Sequence, residues 1–253
     1  MNHPENSLKV DRLRQILDMV NARKRVALSE IEESLSVSRI TVQRHLVELE
    51  KRGLLKRFHG GAMSLNFMEP LVDHSFRKTL NIQSKRLMAA KASRLIEQGM
   101  YIGLDASSTV YYLSEELMVP EVTAVTCGMD TFANLTKKGS VTPVLCGGRL
   151  NRDTGNLSGV EAVETLRRFN FDLIFISAEW FDPERGFFDL YEDEILVKRA
   201  LIAAARKVVM VIDGSKIGAR GGMQMCAADE VSLLITDEPS DRRLKNVFKG
   251  RLL

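Results

Sequence analysis

Apolar residues recur along this chain with two different rhythms. Through residues 9–22, Leu13, Ile16, Leu17 and Val20 fall at helical spacing and predict a first helix with one core face. Ser29-Glu30-Ile31-Glu32 then has the spacing of a capping box. Ser29 is expected to cap a second, short helix with Ile31 and Leu35 on its inner side. Ser36-Val37-Ser38 interrupts the pattern, and Ser38 is placed to cap a third helix. That helix carries Val42, Leu46 and Leu49 on one buried stripe, with His45 near its edge. After it, Gly53 is expected to end the helix, Leu54-Leu55 to begin a strand and Gly60-Gly61 to allow a tight turn.

The rhythm changes further on. Residues 64–80 are irregular, and Met68-Glu69-Pro70 disfavours a helix there. A helix is predicted over 82–98, with Leu87, Ala90, Leu95 and Ile96 inward and a stop at Gly99. Short apolar runs follow at 101–104, 122–126, 142–145, 173–177, 208–212 and 233–236, several of them continuous, as in parallel strands covered on both faces. Helical patterns lie between them at 109–117, 131–137, 162–169 and 194–205. The alternation predicts an α/β fold, a mostly parallel sheet sandwiched by helices. The expected organisation is a helical domain over 1–63, a linker over 64–81 and a second domain over 82–253.

The 253 residues are 45% apolar, ample for two cores, and the net charge is only +3. Its distribution is more telling: residues 1–63 hold a net +4 and the remainder a net −1. The positive excess sits with the helical N-terminal part, as an electrostatic footprint on nucleic acid requires. Three cysteines stand far apart, with neither a CxxC pair nor a His-rich cluster, so neither a zinc site nor a disulfide framework is indicated. Free thiols, the lack of a signal peptide and the lack of a long apolar run point to the cytoplasm. No cofactor is indicated.

The third helix offers chemistry opposite its apolar stripe. Ile40, Arg44, Val47 and Lys51 lie away from the stripe, with Thr41 and Gln43 on its flanks. In a DNA major groove Arg pairs with guanine, Gln with adenine, and Thr meets a thymine methyl. A solvated helical hairpin is the plain alternative. Two capped helices followed by a basic hairpin, with Lys56, Arg57 and His59 beside the phosphate backbone, favour DNA.

Residues 35–46 and 49–62 resemble the DeoR family of bacterial transcription regulators, which has VS-x-x-TIRRDL followed by LE-x-x-GLL-x-R-x-HGGA. The resemblance implies a winged helix-turn-helix in which Ser38, Arg39, Ile40, Thr41, Gln43, Arg44, Lys51, Lys56, Arg57 and His59 meet operator DNA. Gln43 replaces a usual Arg and His45 a usual Asp. Residues 82–253 resemble the family's sensor half, which is similar in fold to ribose-5-phosphate isomerase.

Ligands of such sheets bind beyond the carboxyl ends of the strands. After the first strand, Asp105-Ala106-Ser107-Ser108-Thr109 stands where the family has LD-x-GTT; it suits a phosphate cradle at a helix N-terminus, or plain capping. A Cβ at Ser107 would crowd a phosphate unless φ there is negative. Cys127 stands where the family has Asn, and reads either as a reactive thiol at the effector site or as a small buried residue. Gly147, Gly148 and Arg149 match a family GG-x-L, the arginine suiting an anion or simply the surface. Ser177-Ala178-Glu179-Trp180 replaces Gly-Ala-Asp-Gly, with Glu179 available to sugar hydroxyls or Trp180 to packing. Lys198 matches a family lysine and also forms an i,i+4 pair with Glu194. Lys216 lies in a D-x-SK-x-G match and is the foremost candidate for a phosphate, against a solvated loop lysine.

The expected function is a transcriptional regulator, a repressor of a sugar or polyol operon, not an enzyme, with a phosphorylated sugar or polyol as effector. Paired half-sites imply a homo-oligomer, dimer or tetramer. Two rivals stand: a sensor kept only for oligomerisation, and an active sugar-phosphate isomerase. The latter would need a positioned base, which the SAEW segment has largely lost.

Overall fold

The computed structural model describes residues 4–23, 25–51, 54–58, 60–64, 77–78, 81–152, 154–218 and 221–253. The chain forms two compact units, Met1–Val72 and Asp73–Leu253. Most of the expected linker, and Gly53 and His59, lie outside the described residues.

In the first unit, α1 (Pro4–Arg23), α2 (Leu28–Leu35) and α3 (Arg39–Lys51) pack around Leu13, Ile16, Val20, Ile31, Val42, Leu46 and Leu49. Leu17 is only half-buried. The expected cap at Ser29 is corrected: the N-cap is Ala27, two residues earlier, and α2 begins at Leu28. Glu30, three residues on, accepts the Ala27 N–H at 2.6 Å, so the carboxylate half of a capping box acts without a hydroxyl partner. Ser36 closes α2 in the left-handed region at φ 50°, turning the chain into α3. The wing is the antiparallel pair β2 (Lys56–Phe58) and β3 (Gly61–Met63), with Gly60 at φ +99° in the turn. A strand not read in the sequence, β1 (Arg25–Ala27), pairs with β3 and completes a three-stranded sheet.

The second unit holds the six read strands, all paired parallel: β4 (Tyr101–Leu104), β5 (Val122–Thr126), β6 (Val141–Leu145), β9 (Leu173–Ile176), β12 (Val208–Val211) and β14 (Leu233–Ile235). Their spatial order is β14-β12-β9-β4-β5-β6, so the chain builds outward from β4 in one direction and from β9 in the other. Strand residues feed two cores by parity. Leu173 and Phe175 join Met88, Ala92 and Leu113 on one face, while Ile174 and Ile176 join Leu166, Leu201 and Phe248 on the other. Helices α4 (Ile82–Ser93), α5 (Ser108–Glu116) and α6 (Met129–Leu135) cover the first face; α7 (Val160–Leu166), α8 (Glu192–Ala203) and α9 (Arg242–Phe248) cover the second. Gly103 lies where α8 crosses β4, and a Cβ there would stand 2.8 Å from both Ile174 and Leu201 side chains.

Helix α4 corrects a second expectation. Its inner face is Lys85, Met88, Ala89 and Ala92, whereas Leu87 is 50% exposed. A fully buried lysine in the stripe hides the true face from a reading of apolar positions. Also unread were the hairpin β7 (Arg149–Asn151) with β8 (Asn156–Ser158), and a small sheet of β10 (Trp180–Asp182), β11 (Gly186–Asp189) and β13 (Met223–Cys226).

Candidate functional site

Helix α3 presents one polar face. Val42, Leu46 and Leu49 are buried at 2% exposure or less, while Arg39, Ile40, Gln43, Arg44 and Lys51 are exposed and Thr41 is half-buried. Ile40, at 64%, is a large apolar side chain in water at the start of this face. Ser38 caps the helix, its Oγ accepting the Thr41 N–H at 3.4 Å and lying 3.0 Å from the Thr41 hydroxyl. Gln43 and Arg44 have no partner among the described residues. Their hydrogen-bonding groups are therefore available to base edges. His45 belongs to the buried stripe itself.

On the wing, Lys56 and Arg57 are exposed, yet both are drawn to Glu50. The Arg57 Nε donates to Glu50 Oε2 at 2.7 Å and the Arg57 N–H donates to Oε1 at 2.9 Å; Lys56 Nζ lies 3.8 Å away. Burial pushes the Glu50 carboxyl up, but these contacts prevail and hold it below the usual value.

A second site lies in the other unit, where β4 and β9 are neighbours and the sheet reverses its order of growth. Such switch points leave a crevice at the strand ends. Asp105 follows β4, and its Oδ2 accepts the Ser177 N–H at 2.8 Å from the end of β9. Its Oδ1 accepts from the Ser107 N–H at 2.9 Å and the Ser107 hydroxyl at 2.6 Å. Ser107 in turn caps α5, at φ −69°, so its Cβ needs no strained backbone. Lys198 reaches in from α8, donating to the Ser177 carbonyl at 2.9 Å and to Asp189 at 2.5 Å, with Asp105 at 3.6 Å.

Arg77 and Glu179 close the crevice. The Arg77 Nη1 donates to Glu179 Oε1 at 2.6 Å, both side chains being about nine-tenths buried. Lys216 donates to the Ala178 carbonyl at 2.8 Å and lies 3.9 Å from the other Glu179 oxygen. Burial opposes ionisation of Glu179, but Lys216, Arg77, Lys198 and Lys85 outweigh it and keep its pKa below the usual value. Burial likewise opposes the Lys198 ammonium, and Asp189, Asp105 and Glu194 overcome it and raise its pKa. Glu194 departs upward, chiefly through burial, with Asp189 adding to the rise. The site thus sets four cations, Arg77, Lys85, Lys198 and Lys216, against the four carboxyl groups of Asp105, Glu179, Asp189 and Glu194.

Of the residues expected from the sequence, Ser107, Ser108, Glu179, Lys198 and Lys216 line one cavity, and Asp105 lies beneath it. Thr109 is buried in the first turn of α5 and does not line it. Cys127 is buried beside Cys146, and their hydrogen bond, with burial, raises its thiol pKa well above the usual value. Gly147 and Gly148 also lie off the cavity wall. Gly148, at φ +105°, passes so near Ser158 that a Cβ would stand 2.5 Å from its carbonyl oxygen. Arg149 is exposed and pairs with Asp193 at 3.1 Å. The lining residues Arg77, Asn156 and Ser177 were not read as ligands. Arg77 falls in the expected linker, and Ser177 at the end of the expected strand 173–177. Among the described residues, Arg77 Nε, Ser177 Oγ and Asn156 Oδ1 have no hydrogen-bond partner. Likewise, no group of three or more His, Cys, Asp or Glu there suits a metal ion, and no helix is long and apolar enough to cross a membrane.

Comparison with known proteins yields two family matches: the DeoR-like helix-turn-helix domain over residues 12–67 and the DeoR C terminal sensor domain over residues 80–238. The chain is 31% identical to the uncharacterized HTH-type transcriptional regulator YulB of Bacillus subtilis, over 92% of this chain and 91% of that protein. It is 32% identical to the lactose phosphotransferase system repressor of Streptococcus mutans, over 95% of this chain and 97% of that one. Among solved structures, a ribose 5-phosphate isomerase from Plasmodium falciparum is similar over 54% of this chain and 53% of that chain, at 18% identity and a TM-score of 0.39.

Proposed function

Because this chain belongs to the DeoR family of transcription regulators, we propose that it represses a sugar or polyol operon and takes a phosphorylated sugar or polyol as its effector. The sugar-operon reading draws on relatives such as the lactose phosphotransferase system repressor. These relatives are named as regulators, and the chain is a regulator and not an enzyme.

One observation carries the DNA-binding half: Arg39, Gln43 and Arg44 stand exposed on a helix whose opposite side is locked by Val42, Leu46 and Leu49. Arg44 and Gln43 read bases, while Lys51, Lys56 and Arg57 meet phosphates and fix register. One such module carries modest charge, so two copies on paired half-sites are needed, and the protein acts as a homo-oligomer in the cytoplasm. The effector alters DNA affinity only by binding one arrangement of the oligomer better than another.

The test is direct. Selection from a random duplex library with the full-length protein should recover a paired half-site, and a panel of phosphorylated sugars should include one that shifts its affinity. Recovery of no preferred sequence removes the DNA-binding half. A preferred sequence whose affinity no phosphate alters removes the effector half and leaves a sensor used only for assembly.

A further inference from the structure

The crevice between β4 and β9 has polar walls but almost no interior. About 10 Å³ of it is open to a water molecule, room for one water and no sugar phosphate. An effector that binds here must therefore move something. The Asp105–Ser177 bond ties the ends of β4 and β9 together, the Lys198–Asp189 contact ties α8 to the end of β11, and both belong to the frame. The Arg77–Glu179 pair is different. It spans the space itself, and Arg77 lies outside the central sheet and its covering helices.

The groups facing the space ask for an anion. Glu179 offers one carboxylate to Arg77 and Lys216 together. Among the cavity's lining residues the buried donors Arg77 Nε and Ser177 Oγ are unmatched, as are the acceptors Asn156 Oδ1 and Glu194 Oε1. Leaving a buried donor unmatched is costly, and a carboxylate held by one guanidinium nitrogen uses a fork built for two bonds. A phosphate brings more oxygens and more charge than Glu179 supplies. It cannot take Arg77 and Lys216 while the Glu179 carboxylate lies between them.

Resting on the effector reading above, we propose that Arg77 and Lys216 form the anion subsite of this pocket, that Glu179 fills it in the ligand-free protein, and that the effector's phosphate displaces Glu179. Arg77 lies only a few residues past the boundary of the N-terminal unit at Val72. Its carbonyl accepts from Lys85 at 2.5 Å, and the neighbouring Lys78 carbonyl accepts from the Tyr112 hydroxyl at 2.8 Å. The exchange of carboxylate for phosphate thus takes place on the segment that leads to the DNA-binding unit.

The experiment uses the full-length protein, its Glu179→Gln and Arg77→Lys variants, inorganic phosphate, and the panel of phosphorylated sugars, with calorimetry and thermal shift as readouts. Glu179→Gln keeps the shape but removes the competing charge, and should bind inorganic phosphate and the responding sugar phosphate roughly tenfold more tightly or better. Arg77→Lys keeps a cation without the fork and should weaken both, with its melting curve still cooperative. If the wild type binds a sugar phosphate and Glu179→Gln binds it no more tightly, displacement is wrong while the effector reading survives. If Arg77→Lys binds as the wild type does, Arg77 is not in the subsite. If no protein in the set binds any phosphate, the proposal and the effector reading fall together.

Discussion

The Ser177 N–H donates to Asp105 Oδ2 across the two strands from which the sheet grows in opposite directions, at 2.8 Å. This bond stitches the strand ends and orients a carboxylate that also holds the cap of α5 and faces Lys198. The pocket floor is thus one buried polar network, and its members stand or fall together.

Lys198 is a structural member of that floor. Lys198→Met would leave Asp105 and Asp189 buried without their shared cation and should cost about 3–5 kcal/mol. Denaturant unfolding monitored by circular dichroism checks this. A loss below about 1 kcal/mol would show that water already reaches the cluster.

Arg44→Ala should weaken binding to the selected DNA by about 1–3 kcal/mol and relax preference at one base position. Anisotropy with single-base variants of the site measures both effects. An equal loss on every sequence would make Arg44 a phosphate contact.

Glu50 restrains the wing. Glu50→Gln still accepts from the Arg57 backbone but releases its guanidinium. DNA affinity should rise for all sequences, and the dependence on salt should steepen by about one phosphate contact. Unchanged affinity at low salt would mean that Arg57 keeps its place beside residue 50 when DNA is bound.

Glu194 is the weak point of the cluster. Its folded pKa is raised, so its contribution is most favourable below the ordinary glutamate value of 4.5 and declines as pH rises through the folded value. Glu194→Gln should therefore leave stability unchanged at low pH and increase it progressively toward neutrality. Melting temperatures across pH 4 to 8 test the sign, and a variant that loses stability at pH 7 would refute it.

The wide frame was legible because it rests on local rules. Six apolar runs at 101–104 through 233–236 became the six parallel strands, with ends shifted by a residue or so. The stripe of Val42, Leu46 and Leu49 is a property of one helix and needed no tertiary knowledge. What escaped depends on distant partners. Strand β1 is three residues long and exists because β3 offers it an edge. Lys85 is buried against the rule for its type because a carbonyl from Arg77 receives its ammonium. Asn156 reaches the pocket from β8, part of a hairpin the apolar rhythm did not mark. Arg77 had no periodicity to reveal it; only the fold brings it to Glu179, 102 residues away in the chain.

Gly103 has a consequence for everything above it. Position 103 sets how deeply α8 beds into the sheet, because the space a methyl would need is already filled by Ile174 and Leu201. Lys198 is carried on the same helix, one turn before Leu201. A single added carbon beneath that helix would push Leu201 outward and draw the ammonium away from Asp105, so the depth of the receptor is gauged by an atom that is not there.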